Sequence, residues 1–164
     1  MKRYLLISLL VGGLVGCPVA SAGPVNTQQA PRGSITFAEK MDGPQLPGGK
    51  TCSVSVPAVG KIIQKKLTDA GCGDNVATFF KFVDVPSSTR VWLHSEKSCM
   101  TGDWIFGVKA IKHPATTSWV DIRELDGKED GQIVVAGMEK ILGIWHSGNV
   151  KGKLSCVVIS APDA

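Results

Sequence analysis

The segment TFFKFVDVPSSTRVWL, residues 78–93, carries the strongest structural signal in the chain. Aromatic and β-branched residues fill its two ends and favour strands, and the Pro-Ser-Ser sequence in the middle favours a turn. We therefore expect two antiparallel strands, Thr78–Asp84 and Arg90–Leu93, that form a hairpin. In the simplest register of this hairpin, Phe79 faces Trp92.

Similar short patterns recur on both sides of this segment. Each either alternates polar and apolar residues or forms a short apolar run, as expected for strands of a half-buried or buried sheet. The additional strands predicted in this way are Ile35–Ala38, Thr51–Val56, Trp104–Ile111, Trp119–Arg123, Ile133–Val135, Lys140–Trp145, which is ambiguous in type, and Leu154–Ser160.

One segment has helical spacing. Val59, Ile62, Ile63 and Leu67 recur on one helical face, so a helix is predicted over Val59–Ala70. The sequence as a whole predicts a mainly β domain, a Greek-key sandwich or small barrel with one short helix.

The N-terminal residues resemble an export signal. Lys2 and Arg3 precede the apolar run Tyr4–Val15, and the small residues Ala20-Ser21-Ala22 favour cleavage before Gly23. This pattern predicts a signal peptide at 1–22, a flexible leader at 23–33 and a single β-rich domain at 34–164. It also predicts a secreted or periplasmic protein.

The same region supports a second interpretation. Leu14-Val15-Gly16-Cys17 resembles a bacterial lipobox, which would make the protein a lipoprotein anchored through Cys17. Pro18 after the cysteine is unusual for a lipoprotein, so soluble export is the favoured prediction.

The charge balance excludes some partners. The 164 residues carry a net charge of +4, and removal of Lys2 and Arg3 leaves 16 basic against 14 acidic residues, or +2. That excess is too small to indicate nucleic acid as a partner. No second apolar stretch is long enough to span a bilayer, so no transmembrane segment is predicted.

Four cysteines follow the signal, namely Cys52, Cys72, Cys99 and Cys156. An even number of cysteines in an exported domain predicts two disulfides that clamp the fold. If the hairpin register continued outward, Cys72 would face Cys99, and Cys52 would pair with Cys156. Four cysteines allow three pairings, however, and loops need not keep the register.

The segment Asp74–Phe79 (DNVATF) is the most specific local motif. It resembles the calcium motif of βγ-crystallin domains, in which two Asp or Asn residues, two free positions and a hydroxyl residue precede a strand. The resemblance implies a calcium site formed by Asp74, Asn75, the Val76 carbonyl and Thr78, because calcium prefers several oxygen ligands. The alternative is an ordinary Asp-Asn turn that bonds the local backbone.

Three other segments extend this resemblance to about half of the chain: Ile35–Phe37, Arg90–Leu93 and Lys153–Ile159. It implies a Greek-key fold, and some secreted bacterial members of that family are protease inhibitors. Phe79 departs from the motif, because it stands where the family has a serine.

The sequence identifies no catalytic residues. His94, His113 and His146 lack the spacing of zinc ligands, and there is no Gly-x-Ser-x-Gly motif. An enzyme is therefore the less favoured prediction. A small secreted enzyme or toxin that uses histidine acid/base chemistry remains an alternative.

The tryptophans suggest where a partner could bind. Trp92 and Trp119 lie in predicted strands and are expected in the core, whereas Trp145 beside His146 is expected to reach solvent and contact a partner.

The favoured function is an exported non-enzymatic binding protein that inhibits a secreted or envelope hydrolase. Its contact loop would be Met41–Lys50 or Ser95–Asp103. The other alternative is a module that binds carbohydrate of the cell envelope.

Overall fold

The computed structural model describes residues 32–163. The predicted signal, the lipobox and most of the leader therefore lie outside the described residues. The strands are β1 (Ser34–Gly43), β2 (Leu46–Ser55), β3 (Ile62–Lys66), β4 (Phe79–Val83), β5 (Arg90–His94), β6 (Trp104–Ala110), β7 (Val120–Asp121), β8 (Ile133–Val135), β9 (Met138–Trp145) and β10 (Cys156–Ser160), with a 3-10 helix at Ile122–Leu125.

The strands form two antiparallel sheets. The four-stranded sheet has the order β2-β1-β4-β7, and the six-stranded sheet has the order β3-β10-β5-β6-β9-β8. Buried apolar residues of both sheets form one cluster, in which Phe37 and Phe80 from the first sheet join Leu93 and Phe106 from the second. The mainly β prediction is confirmed, and the arrangement fits a sandwich.

The predicted hairpin is wrong, although both of its strands exist. Phe79 lies in the four-stranded sheet opposite Ala38 and Asp121, whereas Trp92 lies in the six-stranded sheet opposite Val158. The connection crosses from one sheet to the other. Each of the two strands buries every second side chain completely. Because the strands lie in different sheets, these buried side chains face each other across the core instead of lying side by side in one sheet.

The predicted helix at Val59–Ala70 is also wrong. Ile62–Lys66 is a strand that pairs with β10, and Ile62 is 66% exposed although it belonged to the predicted apolar face. Hydrogen bonding along β10 outweighs the helical spacing, because a five-residue segment gains more from the sheet than from a short isolated helix.

The disulfide pairing differs from the one that the hairpin register suggested. Cys52 bonds Cys72, and Cys99 bonds Cys156, with Cα–Cα distances of 5.2 and 5.3 Å. The suggested pairing depended on β4 and β5 being neighbours. Because those strands belong to different sheets, the register that placed Cys72 opposite Cys99 does not exist.

The candidate loop Met41–Lys50 is part of a long hairpin. β1 continues to Gly43 and β2 begins at Leu46, so only Pro44 and Gln45 form the turn. The Gln45 side chain accepts a hydrogen bond of 2.9 Å from the backbone N–H of Trp119. The tip is therefore fastened to the 118–119 segment.

Gly33, assigned to the leader by the sequence, accepts a hydrogen bond from the N–H of Val56. Within residues 32–163, no helix has both the length and the apolar character needed to cross a membrane.

Candidate functional site

One end of the six-stranded sheet brings together most of the candidate residues. The last residue of β5, His94, pairs with Cys156 at the start of β10 and with Ile105 near the start of β6. Trp104 pairs with Trp145 at the end of β9. The connections that leave these strands, Ser95–Asp103 and 146–155, therefore share one end of the molecule, which we call the loop end. The 67–78 connection, which contains the turn at Asp74 (the Asp74 turn), begins at the same end, because Lys66 at the end of β3 pairs with Cys156.

The Ser95–Asp103 loop is held at its base and in its middle. The N–H of Ser95 donates to the carbonyl of Trp104 at 3.2 Å, and the N–H of Trp104 donates to the Ser95 hydroxyl at 3.2 Å. The disulfide from Cys99 to Cys156 fastens the middle of the loop to β10. A loop held in this way loses little conformational freedom when it binds a partner.

Met100 projects from this fastened loop. Its residue is 65% exposed, whereas the neighbouring Cys99 is buried. The Met100 carbonyl accepts a hydrogen bond from Nδ1 of His94 at 3.3 Å, since a carbonyl can only accept. The backbone on both sides of the exposed side chain is therefore fixed to the sheet.

His94 sits beneath the loop and is 7% exposed. Burial lowers the pKa of His94 from its ordinary value, and the hydrogen bond to Met100 opposes that shift only in part. The imidazole is therefore neutral over a wider pH range than an exposed histidine, and it carries its proton on Nδ1.

Trp145 and His146 adjoin the base of the same loop. Trp145 is 49% exposed, which confirms that its side chain reaches solvent, and His146 is exposed as well. The N–H of His146 donates to the carbonyl of Asp103 at 2.8 Å. The predicted binding pair therefore adjoins Asp103, the last residue of the Ser95–Asp103 loop.

The Asp74 turn is connected to the rest of the loop end by polar contacts. Asp74 Oδ2 lies 2.8 Å from Nζ of Lys97 in the loop, and this ammonium group lowers the pKa of Asp74. The Ser155 hydroxyl donates to Oδ1 of Asn75 at 2.9 Å. Thr78 Oγ1 accepts from the N–H of Gly152 at 3.2 Å.

These contacts bear on the predicted calcium ligands Asp74, Asn75, Val76 and Thr78. Asp74 Oδ1 is buried and has no hydrogen-bond partner within residues 32–163, which would suit a cation. The other side-chain oxygens, however, already accept from protein donors, and Lys97 supplies a positive charge at Asp74. The arrangement fits an ion-paired turn better than a calcium site.

A polar cleft of about 440 Å³ lies between the turn and the loop. Its charged lining residues are Asp74, Glu96, Lys97, Asp103 and Lys153. Three acids and two bases line it, so it has no strong preference for one sign of charge. Among the described residues, no group of three or more His, Cys, Asp or Glu side chains is arranged to hold a metal ion.

The three histidines do not converge. His113 is exposed, and its Nδ1 accepts from the N–H of Ser87 at 3.4 Å in the 84–89 connection, away from the loop end. Within the described part of the chain, no histidine hydrogen-bonds to a carboxylate, as the base of a catalytic triad would.

The remaining tryptophans correct part of the sequence prediction. Trp119 is buried as expected, with the Lys81 ammonium 5.0 Å from its ring centroid. Trp104 is completely buried and stacks on Phe106 at 5.2 Å. Trp92 was expected in the core, but it lies half-buried on the outer face of the six-stranded sheet, because the inner positions of β5 are Val91 and Leu93.

The comparisons with known proteins add no assignment. Neither family models, curated proteins nor solved structures show a significant match to this chain. The resemblance of Asp74–Phe79 to the βγ-crystallin motif therefore stays a prediction.

Sequence reasoning missed two features of the loop end, the exposed Met100 and the buried His94 beneath it. An apolar residue directly after a disulfide cysteine was the available signal. Whether such a residue is a binding residue depends on whether its side chain points to solvent or to the core. An irregular loop has no periodic pattern from which this direction could be predicted.

Proposed function

We propose that this protein is an exported binding protein that inhibits a secreted or envelope hydrolase through the Ser95–Asp103 loop. One observation carries the proposal: Met100 is 65% exposed on a loop that is fixed by a disulfide and by backbone hydrogen bonds. Export follows from the sequence of residues 1–22, and disulfides are typical of oxidising compartments.

Fixing the loop matters because an inhibitor must hold its contact residues in their bound conformation before it meets the enzyme. Each side chain or loop segment that is ordered only on binding costs free energy. The Cys99–Cys156 disulfide and the His94 hydrogen bond order the backbone around Met100 in the free protein. Binding energy from Met100 is therefore retained as affinity.

The exposed side chain indicates the class of enzyme. Met100 is long, unbranched and apolar, so it suits an endopeptidase whose primary specificity pocket is deep and apolar. Trp145 lies at the base of the same loop and can widen the contact, since exposed tryptophan often contributes strongly to interfaces. Such a partner agrees with the protease inhibitors that the crystallin-like resemblance implies.

The test measures inhibition of two endopeptidases, one of chymotrypsin specificity and one of trypsin specificity, by the oxidised protein. We expect the first enzyme to be inhibited in a one-to-one complex, and Met100→Gly to weaken inhibition by about 30-fold or more, as expected for a central contact residue. Met100→Lys should transfer inhibition to the second enzyme. Leu46→Lys is the matched control, because Leu46 is 60% exposed but lies at the tip of another hairpin.

Equal effects of the Met100 and Leu46 variants, or no inhibition of either enzyme, would contradict the proposed role of the loop. Retention by insoluble cell-envelope polysaccharide that Trp145→Ala abolishes would instead support the carbohydrate-binding alternative. No contact among the described residues supports the histidine-enzyme alternative.

A further inference from the structure

A second surface lies on the outer face of the six-stranded sheet, apart from the loop end. Val158, Trp92, Gly107 and Leu142 occupy one row across β10, β5, β6 and β9. Directly paired residues project from the same face of a sheet. The side chains of Val158, Trp92 and Leu142 therefore form an apolar strip on the outer face, and Gly107 lies within this strip. Val158, Trp92 and Leu142 are each partly exposed.

Gly107 lets the flanking side chains close in over the sheet. A Cβ atom at this position would lie 3.1 Å from Cδ1 of Trp92 and 2.9 Å from Cβ of Leu142. Beside it, the β6–β9 register shifts between Gly107 and Val108, and Ile141 is the extra residue. Such a bulge redirects side chains, and here Ile141 joins Leu142 in lining one cleft.

This cleft has a volume of about 330 Å³ and joins an apolar wall to two cations. Trp92, Ile141 and Leu142 form the wall, and Arg90 and Lys109 complete the lining. Its size is at the lower end of the range for small-molecule sites.

The charges in the cleft are not balanced. Lys109 is paired with Glu139 at 3.3 Å. Arg90 is exposed and has no acidic partner within 4 Å among residues 32–163. A guanidinium group binds a carboxylate through two parallel hydrogen bonds, and the adjacent indole offers an apolar face to the rest of the ligand.

We infer that this cleft binds a small free carboxylic acid with an aromatic or branched apolar group. Arg90 bonds the carboxylate, and Trp92, Ile141 and Leu142 contact the apolar group. Lys109 adds positive charge beside Arg90, although Glu139 neutralises most of its effect.

The test titrates the oxidised protein with 3-phenylpropionate, followed by calorimetry and by the NMR signal of the Trp92 indole N–H. We expect saturable binding with a Kd of about 1 mM or tighter, which corresponds to about −4 kcal/mol. Two control ligands separate the contributions: 3-phenylpropionamide lacks the charge, and propionate lacks the ring. Each should bind about tenfold more weakly or not at all.

Variants locate the site. Arg90→Gln should weaken binding about tenfold, and Gly107→Ala should weaken it by crowding Trp92, whereas Lys61→Gln outside the cleft should have no effect. Equal binding of the acid and the amide, an unchanged Kd in Arg90→Gln, or no saturation would overturn the inference. Tighter binding of a peptide that ends in phenylalanine than of 3-phenylpropionate would also overturn it, in favour of a polypeptide C-terminus as the ligand.

Discussion

Nδ1 of His94 lies 3.3 Å from the carbonyl oxygen of Met100, so a buried imidazole supports the backbone of the exposed methionine in the loop. The bond joins β5 to the middle of the Ser95–Asp103 loop, which is fastened separately through Cys99. Loop conformation and protonation of His94 are therefore expected to be coupled.

Stability should decrease as the pH falls below about 6.5. Burial lowers the pKa of folded His94, so the unfolded chain takes up this proton first, near the ordinary value of 6.5. The free energy of unfolding then declines with falling pH and levels off below the folded pKa, by about 1.4 kcal/mol for each pKa unit of difference. Urea unfolding between pH 4.5 and 8 measures this dependence.

His94→Asn is the informative variant for this dependence, because its amide can donate at nearly the same position as Nδ1 and does not titrate. Its unfolding free energy should vary less between pH 5 and 7 than that of the original protein. His146→Asn, which changes an exposed histidine, is the control. Identical pH profiles of the original protein and His94→Asn would contradict the assigned role of His94.

Removing the loop disulfide should affect both stability and binding. The double substitution Cys99→Ser with Cys156→Ser removes a cross-link between residues that are 57 positions apart in the sequence. Because the unfolded chain then gains conformational entropy, the free energy of unfolding should fall by about 4 kcal/mol. The loop should also become susceptible to limited proteolysis near Met100. Mass spectrometry of the fragments and unfolding curves measure the two effects.

The other disulfide provides the matched control. The double substitution Cys52→Ser with Cys72→Ser removes a cross-link between residues that are 20 positions apart and should lower the free energy of unfolding by about 3 kcal/mol. It leaves the disulfide that fixes the loop around Met100 intact. Inhibition should therefore be lost in the Cys99/Cys156 variant and kept in the Cys52/Cys72 variant. Equal loss in both would mean that general stability, rather than loop fixation, controls binding.

Calcium should leave the unfolding temperature unchanged, because Lys97 already supplies the cation at Asp74. Differential scanning fluorimetry with calcium and with chelator measures this. Lys97→Met removes the competing ammonium group and is the variant in which any latent calcium site would appear. An increase of several degrees in the original protein that vanishes in Asp74→Ala would contradict this expectation and support the calcium site predicted from the sequence.

Lys140 is a buried lysine that stabilises the 126–132 connection. It is 4% exposed, its Nζ donates to the carbonyl of Lys128, and it lies 5.7 Å from the ring centroid of Phe106. Lys140→Met keeps the volume but leaves that carbonyl without its donor. It should lower the free energy of unfolding by about 1–3 kcal/mol in urea titrations. Lys151→Met, at an exposed position of the 146–155 connection, should change it by less than about 0.5 kcal/mol.

The sequence predicted most strands because a strand that buries one face shows a local alternation of buried and less buried residues. Phe80 and Phe82 alternate with less buried neighbours in β4, and the pattern is visible without any knowledge of the partner strand. Trp145 was likewise predicted to reach solvent from its position beside a turn, and the structure confirms this exposure.

The predictions failed where the answer depended on distant partners. Ile62–Lys66 has helical spacing, but it becomes a strand because it pairs with β10, whose residues lie 90 to 98 positions away in the sequence. The predicted contact of Phe79 with Trp92 and the suggested disulfide pairing failed for the same reason, because both depended on which sheet each strand joins. No local pattern records which sheet a strand joins.

The sequence by itself therefore determined the mainly β composition, the four cysteines that form two disulfides and the positions of most strands, because these depend on residue type and on neighbours in the chain. Only the tertiary structure decided that Cys99 bonds Cys156, that His94 supports Met100 and that Arg90 adjoins Trp92 in an outer cleft. These relationships arise when two sheets pack on one core, since packing brings together side chains that the sequence separates.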